Sequence, residues 1–398
     1  MSFTLMARKK RNKERERAFL ENGSMVLEKL IVSCNGRPTP IRSFSCEEIE
    51  RATNNYDPCR IFHRDLLYEW YNGSFEGRMV SIKKYLKNFE EAVFTDIAIS
   101  AKMSPHNNVL RLIGCCLETQ IPTLVYESAA NGSLAYRWEV SNSSLNGEQQ
   151  REPMAWQSKL KIAREIAHAI AYLHTAFSRP IIHRDIKQGN IFLDEHDVAK
   201  LTDFSESISI PEGETHIVDR HVIGSRGFVC PHYATTLCIT EKIDVFSFGS
   251  FLLELTTGQR IYHLAKAADD EGVELEDYIE NVTINEIVNL AIQAGERGAV
   301  VEQQAQAAVK LAILCREKDP EIRPNMVDVT KELRKIERGR RICCVATTTS
   351  CITACPHMQR KYPDIRPNMF DITKELRKIE RFIPLPPSKF LCKESILE

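Results

Sequence analysis

The 398-residue chain has no long hydrophobic run and almost no net charge. Its 53 Lys and Arg against 54 Asp and Glu give a formal net charge of −1, which offers no general attraction to nucleic acid or to anionic membranes. No apolar run approaches the roughly 18–20 residues that cross a bilayer. The start, Met1-Ser2-Phe3, has neither the glycine of an N-myristoylation signal nor a secretory hydrophobic segment. We expect a soluble cytoplasmic protein that reaches the inner face of the plasma membrane only through partners.

Cysteine is frequent but scattered. The chain has 13 cysteines, an odd number, and no secretory signal, so we expect mostly reduced residues of the core. Four of them, Cys343, Cys344, Cys351 and Cys355, leave a zinc site as an alternative. Their irregular spacing and the adjacent pair suit tetrahedral ligation poorly.

The polar stretch 183–190 carries the strongest chemical signal. It reads His-Arg-Asp-Ile-Lys-Gln-Gly-Asn and precedes the apolar triplet 191–193. The spacing matches the pattern H-R-D-L-x-x-x-N, with Ile186 in place of Leu. In that pattern the Asp, here Asp185, accepts the proton of a substrate hydroxyl, and the Asn, here Asn190, holds Mg²⁺. A solvated polar turn would explain His-Arg-Asp alone but not the full spacing.

Three further motifs stand in the matching order. Asp203-Phe204-Ser205 takes the place of D-F-G, whose Asp binds Mg²⁺, and Val80-Ser81-Ile82-Lys83 resembles V-A-I-K, whose Lys reaches the ATP phosphates. Residues 244–249 resemble the start of the buried helix that supports the catalytic loop of protein kinases. Over residues 44 to 338 the chain resembles a protein kinase. This resemblance implies an α+β, two-lobed protein-kinase fold with a small β-rich N-lobe and a large helical C-lobe.

The resemblance also implies site residues and cofactors. Asp185 and Lys187 take the catalytic positions. Lys83, Asn190 and Asp203 take the nucleotide-binding positions, and Asn190 and Asp203 are also the metal ligands. The implied cofactors are ATP and Mg²⁺. Lys187, two residues after Asp185, favours Ser/Thr over Tyr specificity by family resemblance.

The chain divides into four predicted segments. These are an N-terminal charged and helical extension with a linker (1–43), an N-lobe (44–127), a C-lobe (128–339) and a tail (340–398). The tail repeats the end of the C-lobe, because the segment from Arg323 to Arg338 returns almost unchanged from Arg366 to Arg381. We expect the first copy to form the last helix of the C-lobe. We attribute the surplus copy to a duplicated exon or a gene-model artefact.

Local patterns predict the smaller elements. Residues 7–17 carry charge of both signs and indicate a solvated helix or frayed tail, with a basic contact to membrane or partner as the alternative. Residues 18–32 have apolar positions at helical spacing, interrupted at Asn22-Gly23-Ser24, with Ser24 as a new N-cap. Residues 35–40 indicate a linker and 139–153 a polar loop, and the periodicity of 158–174 predicts a buried helix.

Glycine is missing where the kinase pattern needs it most. The phosphate loop G-x-G-x-x-G-x-V should lie shortly before Lys83, yet no glycine falls between Ile61 and Asn72. Glycines let the backbone approach phosphates closely. The bulky stretch 66–68 cannot do this as well, and Asp65 or Glu69 would place negative charge near ATP. The sequence therefore predicts weak ATP binding.

Three other positions depart from the kinase pattern. The helix residue that should pair with Lys83 is Asp96, one methylene shorter than Glu, which predicts a strained or absent ion pair. Ser205 replaces the glycine of D-F-G. His232 replaces the Glu of A-P-E, so Arg323 should lose its carboxylate partner.

These departures predict a mobile activation segment over 205–229. For Arg184 two interpretations stay open, a pairing with a phosphate on that segment or hydrogen bonds to local carbonyls.

Several segments narrow the resemblance to plant kinases. Residues 41–57 resemble the F-S-x-E-E-I-x-x-A-T-N-N-F lead-in of receptor-like kinases, with Ser45 and Glu48 as a capping box. Residues 106–118 resemble the wall-associated kinase branch. Residues 19–24, 34–36, 40–45 and 208–213 resemble the HopZ-ETI-deficient-related receptor-like cytoplasmic kinases, many of which are pseudokinases.

That resemblance implies an immune adaptor with impaired catalysis. Its partners would be a nucleotide-binding leucine-rich-repeat immune receptor and other receptor-like cytoplasmic kinases, with no nucleic acid. The alternative is an active Ser/Thr protein kinase that transfers the ATP γ-phosphate to protein substrates. A degenerate duplicate without function is the third hypothesis.

Overall fold

The computed structural model describes residues 3–34, 41–86, 90–137, 154–273, 275–279 and 298–339. The predicted linker at 35–40, the predicted loop at 139–153, the cysteines from 343 to 355 and the second repeat copy lie outside the described residues. The same holds for the tail from 340 onwards. The predicted boundaries between the four segments stay predictions.

The N-lobe is built on one six-stranded sheet. Its spatial order is β1-β5-β6-β4-β3-β2, with β1 parallel to β5 and the other neighbours antiparallel. Glu76 and Gly77, both with positive φ, close the two-residue hairpin between β3 and β4, where left-handed backbone matches the strand twist. The strands are β1 Arg42–Ser43, β2 Ile61–Arg64, β3 Tyr68–Phe75, β4 Arg78–Tyr85, β5 Leu112–Cys116 and β6 Thr123–Glu127.

Two helices pack around this sheet. Helix α2, Cys46–Thr53, starts with the predicted capping box, in which Ser45 Oγ accepts from the Glu48 backbone N–H and Glu48 Oε2 accepts from the Ser45 N–H. Helix α3, Glu90–Met103, buries Val93, Ile97 and Ala101 against the sheet. The lead-in and α2 pack against the sheet in a second, separate apolar cluster.

The N-terminal extension is one helix, α1, Phe3–Cys34. The predicted interruption at residues 22–24 is wrong, and Ser24 is not a helix N-cap. Asn22 is buried instead, and its Nδ2 donates to Leu117 O at 2.9 Å and Thr119 O at 2.8 Å. This anchor on the loop after β5 holds the helix to the N-lobe, and Val26 on the same face is buried in the N-lobe core.

The C-lobe is helical, with short strand pairs beside the catalytic loop. Its core is a continuous cluster contributed by the long helices, which confirms the predicted α+β two-lobed fold. The short strands are β7 Ile181–Ile182, β8 Ile191–Leu193, β9 Ala199–Leu201, β10 Ile208–Ser209, β11 Ile217–Val218 and β12 Cys238–Ile239. The helices are α4 Trp156–Thr175, α5 Pro231–Thr236, α6 Lys242–Thr257, α7 Ile261–Glu271, α8 Leu275–Tyr278, α9 Gly298–Cys315 and α10 Met326–Glu337.

The first repeat copy forms α10. It packs along α4, where Arg164 Nε donates to Glu337 Oε2 at 2.7 Å, and Gln304 of α9 donates to the Ile336 carbonyl at 2.8 Å. Asn325 caps its N-terminus through the Asp328 N–H. The helix thus fills the predicted place in the C-lobe. Among the described helices, none is long and apolar enough to span a membrane.

Candidate functional site

The N-terminal turn of α6 anchors the catalytic loop, residues 183–190, through its backbone. The fully buried Asp244 accepts hydrogen bonds from the backbone N–H of His183 at 2.8 Å and of Arg184 at 2.9 Å. Burial opposes ionisation of this carboxyl, but its hydrogen bond with His174 and the further contributions of His174 and His183 together outweigh that effect and lower the pKa of Asp244. A buried carboxylate on two backbone donors fixes the path of the loop.

The predicted catalytic residues Asp185 and Lys187 lie together. Lys187 Nζ is 2.8 Å from Asp185 Oδ2, and Asn190 Nδ2 donates to the same oxygen at 3.0 Å. Ser225, from the activation segment, donates its hydroxyl to Asp185 Oδ1 at 2.8 Å and accepts from Lys187 at 3.1 Å. The base position is therefore assembled and oriented by its neighbours.

Lys83 bridges two carboxylates in the cleft between the lobes. Its Nζ is 2.7 Å from Asp96 Oδ2 and 2.7 Å from Asp203 Oδ1, and all three side chains are at most 5% exposed. The expectation of a strained or absent Lys83–Asp96 pair is wrong. Asp96 reaches Lys83 directly, and Tyr85 supports the pair, because its hydroxyl donates to Asp96 Oδ2 at 2.7 Å and accepts from Lys83 at 2.9 Å.

Asp203 adopts a backbone that a non-glycine residue rarely takes. Its φ is +66°, a left-handed conformation that costs of order 1–3 kcal/mol. Burial disfavours its charge, but the ammonium of Lys83 and the hydrogen bonds from Ser205 and Tyr68 together hold the pKa of Asp203 well below its usual range. Ser205 is not among the described residues with positive φ, and its hydroxyl donates to Asp203 Oδ1 at 2.8 Å. The serine in place of glycine therefore supports the carboxylate.

Tyr68 occupies the space in front of this polar centre. It is 1% exposed, and its hydroxyl donates toward Asp203 Oδ2 at 2.8 Å and Asn190 Oδ1 at 3.1 Å. The Lys83 ammonium lies 3.9 Å from the centroid of its ring, a cation–π contact. One tyrosine thus contacts all three predicted nucleotide-binding residues. Sequence reasoning noted its bulk but missed this contact.

The register of the sheet aims Tyr68 into the cleft. Tyr68 pairs with Tyr85 and Trp70 pairs with Lys83, so alternate residues of β3 face the polar centre. Trp70 is fully buried, with its ring centroid 4.8 Å from that of Phe192 and 5.2 Å from that of Tyr126. Aromatic rings therefore fill the cleft behind the hydroxyl.

The turn between β2 and β3 closes the cleft further. If Trp70 takes the valine position of G-x-G-x-x-G-x-V, then His63, Asp65 and Tyr68 stand where the three glycines belong. Asp65 Oδ2 lies 3.3 Å from Lys187 Nζ, so the turn contacts the catalytic loop directly. An aromatic residue at a glycine position was the signal in the sequence that could have predicted a filled site.

Comparison with known proteins agrees with this architecture. Residues 73–333 match the protein kinase domain family. The chain belongs to the protein kinase family. It is similar to the Arabidopsis thaliana "Serine/threonine-protein kinase ZRK1", at 41% identity over 82% of this chain and 94% of the relative. It is also similar to the "Non-functional pseudokinase ZED1" of the same plant, at 40% identity over 83% of this chain and 99% of the relative. The "Wall-associated receptor kinase-like 4" is 34% identical over 83% of this chain and 42% of the relative.

Protein kinases in general bind ATP and a divalent metal, but the residues of this kinase do not fit that pair as they are arranged. The oxygens of Asn190 and Asp203 that would face Mg²⁺ accept from Tyr68, and Lys83 is saturated by two carboxylates and Tyr85. An open cavity of about 250 Å³ lies further out, lined by Ile61, Phe62 and residues 129–132. It is below the roughly 300–1,000 Å³ of typical small-molecule sites.

An ion pair between the catalytic loop and the activation segment holds the activation segment of this kinase. Arg184 Nη2 lies 2.5 Å from Asp219 Oδ2 and donates to the Tyr233 hydroxyl at 3.0 Å. Among its described contacts Arg184 pairs with the Asp219 carboxylate rather than with local carbonyls, and its pairing with a phosphate stays a prediction. Strand β11 pairs with β12 beside it. The predicted mobility of 205–229 stays a prediction.

The loss of the A-P-E carboxylate is compensated by other acceptors. His232 is exposed, and Arg323 is 2% exposed. The Arg323 guanidinium donates to the backbone carbonyls of Glu317, Lys242 and Lys318 and to Cys230 Sγ at 3.1 Å. Among the described residues no carboxylate pairs with Arg323, as expected, yet its donors are satisfied.

Proposed function

We propose that this chain is a catalytically impaired protein kinase that acts as an adaptor in plant immune signalling, together with a nucleotide-binding leucine-rich-repeat receptor. One observation supports the proposal that catalysis is impaired. The hydroxyl of Tyr68 lies within hydrogen-bond distance of both predicted metal ligands, at 2.8 Å from Asp203 and 3.1 Å from Asn190.

The cost of moving Tyr68 supports weak nucleotide binding. Mg-ATP requires the Tyr68 ring to leave a fully buried place between Lys83, Tyr85 and Trp70. Exposing one large apolar side chain costs about 1.5–3 kcal/mol. Because the apparent Kd rises in proportion to the scarcity of the competent conformation, this cost alone weakens ATP binding by roughly one to two orders of magnitude.

The adaptor role is supported by the parts of the kinase fold that this chain retains. The catalytic loop, the Lys83 bridge and the C-lobe core are intact, so the fold supplies a rigid binding surface without a nucleotide. Similar chains carry the names "Non-functional pseudokinase ZED1" and "Non-functional pseudokinase ZRK2", and the second is 39% identical over 84% of this chain. The resemblance of residues 19–24, 40–45 and 208–213 to an immune adaptor group supports the same role.

Nucleotide binding tests the impairment. The thermal stability of the full chain is measured with and without millimolar Mg-ATP, in the wild type, in Tyr68→Gly and in Tyr71→Phe as the control. Tyr71 is also buried on the same strand but contacts the Tyr56 and Phe44 side of the sheet. We expect a small ATP-induced shift in the wild type and the control, and a larger one in Tyr68→Gly. Because each variant is compared with itself, any loss of basal stability cancels.

The proposal of weak binding is wrong if Mg-ATP stabilises the wild type by several kcal/mol, since ligand stabilisation follows RT ln(1 + [L]/Kd). It is also wrong if Tyr68→Gly leaves the ATP-induced shift unchanged while the variant remains folded.

A second experiment separates the adaptor from an enzyme. Asp185→Asn keeps size and most hydrogen bonds but removes the base, and Asp270→Asn on the exposed face of α7 is the matched control. Both variants should support receptor assembly and immune signalling in leaf tissue as the wild type does. If Asp185→Asn alone silences signalling while it still folds and binds, the adaptor role is refuted.

The alternative function is an active Ser/Thr protein kinase. The ordered contact of Asp185 with Lys187, Ser225 and Asn190 favours it, as does the name of ZRK1. Under this alternative the wild type transfers the ATP γ-phosphate to a protein substrate and Asp185→Asn does not. An incorporation assay with radiolabelled ATP distinguishes the two.

A further inference from the structure

Two cysteines far apart in the sequence meet on the sheet side opposite the cleft. Cys46 is the first residue of α2 and Cys116 is the last residue of β5. The parallel pairing of β1 with β5, in the register Ser43 to Cys115, brings the start of α2 beside the end of β5. The two Sγ atoms are 3.8 Å apart and both residues are buried.

A carboxylate completes the cluster. A ligand oxygen of Glu118 and the two sulfurs all lie within 4.8 Å of one another. Glu118 Oε2 also accepts from the Cys46 backbone N–H at 2.9 Å, which fixes the carboxylate over the thiols. Two thiols and a carboxylate that converge from two elements form a donor set that borderline-soft divalent cations prefer.

The sulfur separation fits a tetrahedral metal better than a disulfide. Two thiolates bound to zinc at about 2.3 Å with a tetrahedral angle stand about 3.8 Å apart, which is the observed distance. A disulfide requires about 2.0 Å between the sulfurs, so the pair would have to close by nearly half. The carboxylate oxygen needs a shift of only about 1 Å to reach a common centre, since tetrahedral sulfur and oxygen ligands lie about 3.6 Å apart.

We propose that Cys46, Cys116 and Glu118 form a zinc site that fastens α2 to the end of β5. Zn²⁺ takes two thiolates and one carboxylate oxygen from the protein and one water, and binding releases the two thiol protons to solvent. The site is distinct from the kinase cleft and does not depend on the proposed adaptor role. Because protons compete with the metal, its affinity falls as the pH is lowered.

Metal titration of the full chain tests the proposal. The background variant carries Ser at Cys343, Cys344, Cys351, Cys355 and Cys392, so that cysteines of the tail bind no metal. Metal-free protein is titrated with Zn²⁺ against a chromophoric chelator. We expect one equivalent of bound zinc in this background and no tight equivalent after Cys46→Ser or Cys116→Ser. Glu118→Gln should weaken binding at least about tenfold.

Cys115→Ser is the matched control, because Cys115 is a similarly buried cysteine next to Cys116 in the same strand. It should keep the full equivalent of zinc. Cd²⁺ provides a readout that requires no variant of the pair, because a cadmium–thiolate bond absorbs in the ultraviolet by charge transfer. The background protein should show the intensity of two thiolates for each Cd²⁺ bound.

Three outcomes overturn the proposal. The first is that the background protein binds no zinc more tightly than the Cys46→Ser variant does. The second is a Cd²⁺ complex without thiolate absorption. The third is a Cys46–Cys116 disulfide, found by peptide mass spectrometry after mild peroxide treatment, in protein that takes up no zinc before oxidation.

Discussion

Replacing Lys83 by Met should destabilise this protein strongly, although the same change only removes a nucleotide contact in a kinase whose cleft is open. In this chain the ammonium of Lys83 is the cation shared by two buried carboxylates, those of Asp96 and Asp203, at 2.7 Å each. Methionine keeps the length and apolar volume of the side chain. The perturbation therefore isolates the charge.

The magnitude follows from the burial of the two partners. Asp96 is 0% and Asp203 5% exposed. Removing one partner of a buried ion pair costs about 3–5 kcal/mol, because the remaining charge is left uncompensated. Against a total stability of roughly 5–15 kcal/mol, Lys83→Met should remove a large part of the free energy of unfolding.

Urea unfolding of the full chain at pH 7 measures the effect. Lys84→Met is the matched control on the same strand, because its half-buried ammonium contacts one ring, that of Tyr56, with its Nζ 3.9 Å from the centroid. A cation–π contact of this kind contributes about 0.5–1 kcal/mol. We expect the midpoint of Lys83→Met to fall several times further than that of Lys84→Met.

The penalty should depend on pH with a defined sign. In the wild type the pKa of Asp203 is depressed, so its pairing stabilises the fold above the unfolded pKa of about 3.9 and this stability is lost as the pH falls further. In Lys83→Met the buried carboxyl of Asp203 loses this cation while burial still opposes its charge, so its pKa rises and it gains its proton at higher pH than in the wild type. The difference between variant and wild type should therefore shrink as the pH is lowered from 7 towards 4.

A double variant provides the internal check. Adding Asp96→Asn to Lys83→Met removes one of the two unpaired charges and should recover part of the lost stability. The reasoning is refuted if Lys83→Met costs no more than Lys84→Met, or if its cost does not change with pH and is not reduced by Asp96→Asn.

Three further predictions concern other parts of the chain. Val26→Glu should destabilise the fold by several kcal/mol in urea unfolding, because Val26 is only 6% exposed in the N-lobe core. The neighbouring Leu27 is 58% exposed, so Leu27→Glu should change the free energy of unfolding by no more than about 0.5 kcal/mol. Equal effects of the two changes would show that α1 does not dock on the N-lobe as described. Burial lowers the pKa of His106 to about 4, so the unfolded chain binds the proton at higher pH than the folded chain, and the free energy of unfolding should fall as the pH drops from about 6.5 to 4. His106→Gln should flatten the pH dependence of stability over this range, and an unchanged slope would contradict the role of His106. Truncation after Gly339 should leave thermal stability nearly unchanged, because the first repeat copy already forms α10; a large loss would show that the second copy packs into the fold.

The fold and the identity of the polar groups could be predicted from the amino-acid sequence. The four kinase motifs predicted Asp185, Lys187, Asn190, Asp203 and Lys83, and the structure brings all five together in one cleft. Capping signals were equally direct, since the Ser45–Glu48 box depends on residues three apart. Motifs and caps are local patterns, so they can be recognised from the order of the residues alone.

Contacts between distant segments could be found only in the folded chain. The length of Asp96 predicted a poor ion pair, yet Asp96 on α3 reaches Lys83 on β4 directly at 2.7 Å, and Tyr85 on the same strand as Lys83 donates to its carboxylate. The sequence predicted an interruption of α1 at Asn22, yet two carbonyls 95 and 97 residues away bind that side chain inside a continuous helix. In both cases a hydrogen-bond partner outside the local segment reversed the local expectation.

The cleft also has one property that the sequence predicts and one that only the folded chain shows. The absence of glycine between Ile61 and Asn72 predicted weak phosphate binding. That the site is filled by Tyr68 depends on the register of β3 against β4, because a shift by one residue would turn this side chain to the other face of the sheet. Pairing registers are set by the packing of both faces at once, and no single stretch of sequence contains that information.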